Sequence, residues 1–207
     1  MDIYIAIVKK TYVVCNKIYI ILNMNIQKLI EITAYILKRN DGILDYYNLI
    51  KECYMADRNS IERIGYAMTG DTYVSMSRGP VLESLYALIK GKYADKEKQT
   101  LWNDYFKTEN KKIELKSDTI GFGRLSRFEE NTLNTITQRF YGYSYEQMKE
   151  YAHREGVFPE WKPVENGEEK PITLKDIMKA LKFSDEDIKV LIEEQQVYEK
   201  EELALCS

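Results

Sequence analysis

The stretch from Tyr66 to Gly91 constrains this chain more than any other, because turn and helix signals follow one another there without a gap. Gly70-Asp71 stands between two runs that alternate apolar with small or polar residues. That pattern predicts a short extended hairpin turning at a residue that tolerates positive φ. Gly79-Pro80 then reads as the close of a strand and the opening of a helix, since the missing N–H of proline has no intrahelical partner at a first helical position. Gly91 stands where a left-handed C-terminal cap belongs. Between them Val81, Leu82, Leu85, Leu88 and Ile89 form one apolar face.

The rest of the chain is mainly helical in pattern. Ile26, Leu29, Ile30, Thr33, Ile36 and Leu37 recur at helical spacing, with Asn25 as N-cap and Gly42 just past the end. Asp45 can cap a second helix carrying Leu49, Ile50, Cys53 and Tyr54. Leu101 to Lys107 and Lys112 to Lys116 read as two short strands around Thr108-Glu109-Asn110, placed to extend the sheet that begins at Tyr66. Ser126 with Glu129 and Ser144 with Gln147 are capping boxes, and Thr173 with Asp176 and Ser184 with Asp187 are looser forms. Val157 to Pro171, rich in proline and acids, reads as a surface loop. The expectation is a predominantly helical, compact α+β domain with a small antiparallel sheet, spanning residues 24–207.

Residues 1–23 stand apart. Ile3 to Val8 and Ile18 to Leu22 are apolar runs broken by Lys9, Lys10, Asn16 and Lys17, so no uninterrupted span can cross a bilayer. Positive charge inside the apolar region also argues against a signal peptide. The segment is either a short strand or appended helix, or upstream sequence read through from a misassigned start.

Chemistry-bearing residues are sparse. The 207 residues contain a single histidine, His153, which leaves no multi-histidine metal site, and Cys15, Cys53 and Cys206 are too far apart for zinc spacing. Cys53 fits a small buried hydrophobe. Gly121-Phe122-Gly123-Arg124 lacks the downstream Lys-Ser/Thr of a phosphate loop and reads as a turn before the Ser126 cap. Asp57, Arg58, Asp71 and Arg78 form a charged cluster in which an arginine reaching an aspartate or a helix carbonyl can lock the hairpin to the helices. No catalytic residue, metal or cofactor is expected. A formal charge of −3 supplies no general field for phosphate backbones.

The order Gly70-Asp71-x-Tyr73-x-x-Met76-x-Arg78-Gly79-Pro80, followed by a helix ending Lys90-Gly91, resembles the SocA-like antitoxin family, also called Panacea and related to phage-associated GepA proteins. Upstream Ala56-Asp57-Arg58, downstream Leu125-Ser126, and His153 followed by Trp161 resemble further parts of that pattern, from about Met24 onward. Ser75 departs from the alanine expected before Met76, and the surroundings of His153 are looser. The resemblance implies a small cytoplasmic bacterial or phage protein, not an enzyme, that neutralises a toxin encoded beside it by direct association. Two other roles follow from the same resemblance: an adaptor delivering the toxin to a ClpXP-type protease, and a DNA-binding repressor of its own operon. The acidic balance weighs against nucleic acid, and no membrane partner is expected.

Seventeen tyrosines supply large contact surfaces with polar tips. Tyr35, Tyr54 and Tyr86 lie on apolar helical faces. Tyr46, Tyr47, Tyr141, Tyr143 and Tyr145 cluster at helix starts and turns, where exposure is expected, and Tyr141, Tyr143 and Tyr145 are the candidates for partner contact.

Overall fold

The structure is a computed structural model describing residues 24–117 and 119–205. The expectations for residues 1–23, Cys15 and Cys206 lie outside the described residues. In chain order the elements are α1 (Ile26–Lys38), β1 (Ile43–Asp45), α2 (Tyr46–Ile64), β2 (Tyr73–Met76), β3 (Gly79–Leu82), α3 (Glu83–Ile89), α4 (Lys96–Tyr105), β4 (Phe106–Glu109), β5 (Lys112–Leu115), α5 (Arg127–Phe140), α6 (Tyr145–His153), β6 (Lys170–Ile172), α7 (Leu174–Ala180) and α8 (Asp185–Leu205). They form a predominantly helical α+β domain with two small antiparallel sheets.

Short-range chemistry sets most helix ends. Asn25 accepts the Lys28 N–H at 3.0 Å and Asp45 accepts the Tyr47 N–H at 2.8 Å, each satisfying a first-turn donor. Ser126, Ser144 and Thr173 all form complete reciprocal capping boxes. At the end of α3 the Lys92 N–H reaches Ala87 O and the Gly91 N–H reaches Leu88 O, a pair of bonds that needs the left-handed φ of 66° at Gly91.

Helix α2 is the axis of the molecule. Every residue from Tyr47 to Asp57 is buried, because α1, α3, α5, α6, α7, β1 and β3 all pack around it. The core it belongs to also takes in Leu29, Ile32 and Ile36 of α1, Leu133 and Phe140 of α5, and Met148 of α6. Edge-to-face contacts set Tyr54 against both Tyr73 and Phe158 at ring separations of 5.5 and 5.3 Å.

The strands correct several expectations. The hairpin of β2 and β3 turns at Ser77-Arg78, with Met76 opposite Gly79, and not at Gly70-Asp71. Gly79-Pro80 belongs to β3, and α3 begins three residues later at Glu83. Proline fits there because β3 is an edge strand, where a missing N–H breaks no ladder bond. Leu101 to Tyr105 are helical and only Phe106 to Glu109 are extended, since Asp95 caps α4 through the N–H groups of Glu97 and Lys98. The β4–β5 hairpin pairs with β1 to make its own sheet. The sheet around β2 is completed instead by β6, which lies partly within the segment expected as loop; Pro171 hides an edge strand paired with Val74.

Candidate functional site

Met68, Thr69, Tyr73, Arg78 and Pro80 of the Tyr66 to Gly91 pattern hydrogen-bond to side chains of α2. Asp57 is fully buried. Its carboxylate accepts the backbone N–H groups of Met68 and Thr69 at 2.9 Å each, the Tyr73 hydroxyl at 2.9 Å and the Thr69 hydroxyl. Burial raises its pKa, and the bonds to Thr69, Tyr73 and Met68 oppose that rise. One side chain therefore fixes the loop leaving α2 and the start of β2.

Asp71 performs a similar task for α3. The residue at the N-cap of α3, Leu82, has no side-chain acceptor, so the first-turn donors of Ser84 and Leu85 are satisfied from outside by the two oxygens of Asp71, at 3.0 and 2.9 Å. A further bond from the Thr72 N–H at 2.7 Å holds the carboxylate in place. Burial pushes its pKa up to about 6 despite these donors. The preceding Gly70 has φ 64°, the one part of the expected turn that the backbone retains there.

Lys51 anchors the hairpin from below. It has no solvent exposure, donates to Pro80 O at 2.5 Å and lies 4.9 Å from the Tyr47 ring centre. Burial pulls its pKa down to about 7. Gly79 has φ 107°, and a β-carbon there would stand 2.9 Å from Lys51 Nζ, so both backbone and space demand glycine. Trp161 donates its Nε1–H to Met76 O at 2.9 Å, and its ring lies tilted against His153 at 4.9 Å between ring centres. The Tyr47 hydroxyl donates to Arg78 O at 2.9 Å. His153 is exposed, and its pKa is lowered first by partial burial and then by Lys149 and Lys51. Ser75, the departure from alanine, accepts the Lys162 N–H at 3.1 Å and so ties β2 to the segment after Trp161.

Among the described residues neither Arg58 nor Arg78 forms an ion pair with Asp57 or Asp71, the aspartate form of the expected lock. Arg58 pairs with buried Glu160 at 2.9 Å, and the same oxygen accepts the Tyr54 hydroxyl at 2.8 Å. Arg78 is exposed and contributes its carbonyl. Lys90 donates to the Tyr46 hydroxyl at 2.7 Å on the surface. Among the contact candidates, Tyr143 packs edge-on against Phe140 and Tyr145 against Tyr47, which is itself buried and not exposed as expected. Tyr141 is 58% exposed and reaches Asp41 at 3.1 Å. The Gly121 to Arg124 turn closes on α1: Arg124 bonds Glu31 through its backbone N–H at 2.8 Å and its guanidinium at 3.0 Å.

Nothing in the sequence pattern singles out Lys51 or Glu52. Glu52 is fully buried with neither carboxylate oxygen bonded, and burial pushes its pKa up to about 8. By pattern the two charges read as a solvated face of α2, and their burial follows from the elements packed around that helix. Among the described residues no group of three or more His, Cys, Asp or Glu could hold a metal ion, and no described helix is long and apolar enough to cross a membrane.

The family described as antitoxin SocA-like, Panacea domain, matches residues 49–162, which run from the middle of the first turns of α2 to the Trp161 contact. No curated protein and no solved structure matches the chain.

Proposed function

This chain belongs to the SocA-like antitoxin (Panacea domain) family, and we propose that it neutralises a cognate toxin by binding it directly and stoichiometrically in the cytoplasm. One observation carries this reading beyond the family. Asp57 and Asp71, the carboxylates of the shared pattern, are buried and spend their oxygens on backbone and hydroxyl donors of the fold itself. What remains for a partner is surface, and recognition between surfaces needs no general base, metal or nucleotide. The domain is proposed to begin at Met24, which is buried with the core, so a chain starting there should fold like the full one. Aggregation of that shorter chain would refute this boundary.

Coexpression with the adjacent growth-arresting gene tests the reading. Growth should recover and the two proteins should copurify. Folded Asp71→Asn and His153→Gln variants should still rescue at least in part. Rescue without a complex would point to transcriptional control or to delivery to a protease, and would contradict direct binding.

A further inference from the structure

Six large apolar side chains are exposed among the described residues, and four of them lie at the end of α2 or on α8: Ile64 at 49%, Tyr66 at 39%, Val190 at 47% and Val197 at 54%. Helix α8 is seated there by its inner side. Ile188 is buried, Leu191 and Ile192 are half-buried, and Leu191 fills the space beside Gly65 that a β-carbon would occupy. The Tyr66 hydroxyl reaches Glu194 at 3.1 Å. Val190 and Val197 are seven residues apart and so share one outward stripe, with exposed Glu186, Glu193 and Glu194 on either side at helical spacing.

Charge is distributed unevenly around this stripe. Residues 185–205 hold eight of the 33 acidic side chains and two of the 30 basic ones. This helix is thus at −6, while the remainder of a chain of formal charge −3 is at +3. The helix also lies beyond residues 49–162, the span shared with the family. We propose that the outward face of α8, with Ile64 and Tyr66 beside it, docks a basic amphipathic segment of the toxin; this rests on the toxin-binding reading above. An apolar stripe excludes water at the centre while the carboxylates around it attract lysine and arginine at the rim. The same carboxylates oppose the alternatives. A symmetric pair of α8 faces would set acid against acid, and an anionic lipid surface would be repelled.

The test uses the full chain and the purified product of the adjacent growth-arresting gene, with affinity measured by calorimetry at low and high salt. Val190→Ser with Val197→Ser, and separately Glu186→Lys with Glu193→Lys, should each weaken binding by about tenfold or more. The charge variant should also lose most of the salt dependence. Ile43→Ser, at the exposed start of β1, should leave affinity unchanged, and Tyr141→Ser tests the competing surface. Melting curves like that of the parent chain establish that each variant is folded. If the parent binds and both α8 variants bind equally well, or if only the Tyr141 variant is weakened, the α8 surface is wrong while toxin binding stands. Failure of the parent chain to bind overturns both. If the α8 variants change the oligomeric mass but not toxin affinity, the occupant is a second copy and the proposal falls.

Discussion

The floor of the β2–β3 hairpin and the outer face of α8 treat polar and apolar groups in opposite ways. Under the hairpin, charged groups are buried and nearly every one is bonded: Asp57, Asp71 and Lys51 each hold backbone from another element. Among the described residues of α8, Glu186, Glu193 and Glu194 are exposed, and so are the apolar side chains of Val190 and Val197. A buried carboxylate that accepts several donors makes one arrangement of loop, strand and helix far better than its neighbours. An exposed valine between glutamates contributes little to folding and leaves apolar area that a partner can cover. The first region specifies the fold, and the second contributes little to it.

Asp57→Ala should cost the most, on the order of 4 kcal/mol in chemical denaturation, because it strands buried donors of Met68, Thr69 and Tyr73. An effect below about 1 kcal/mol would break the contrast between the two regions. Gly79→Val should cost about 3 kcal/mol through its left-handed backbone and the close approach of Lys51. Thermal unfolding equal to that of the parent would show that the hairpin tolerates another path.

Glu52 gives the third prediction, in pH. Its folded pKa of about 8 lies above the ordinary 4.5, so its contribution is fully present below pH 4.5 and is lost as pH rises through 8. Glu52→Gln removes this dependence and should gain on the parent by on the order of 2 kcal/mol between pH 5 and 8. Lys51 acts in the other direction over a higher window. With a pKa lowered from 10.5 to about 7, its cost is greatest below 7 and disappears as pH rises toward 10.5. Equal pH profiles for Glu52→Gln and the parent would mean that this carboxylate is solvated. The smallest effect belongs to α8. Val190→Ser with Val197→Ser should change stability by no more than about 0.5 kcal/mol, and a loss of 2 kcal/mol would show that this face belongs to the core.

Most of this architecture could be read in the sequence where the signal is local. Asn25, Asp45, Ser126 and Ser144 start their helices as their side chains dictate, and Gly91 ends α3. Gly79-Pro80 misled because proline suits an edge strand as well as a first helical turn, and only the pairing with Ser75 decides between them. The cap of α3 was hidden because it is supplied by Asp71, thirteen residues before the Ser84 donor. Likewise, Glu160 meets Arg58 across 102 residues, a pairing that no spacing rule contains. The role of Lys51 followed from α2 being surrounded on every side, which depends on packing and not on the helix alone.

Titration of the toxin's activity with this purified protein tests the central claim most directly. A binding antitoxin reduces activity in proportion to its amount and reaches an endpoint at a fixed molar ratio, without nucleotide or metal. Progressive inactivation of excess toxin by a small fraction of this protein would mean turnover, and would contradict neutralisation by stoichiometric binding.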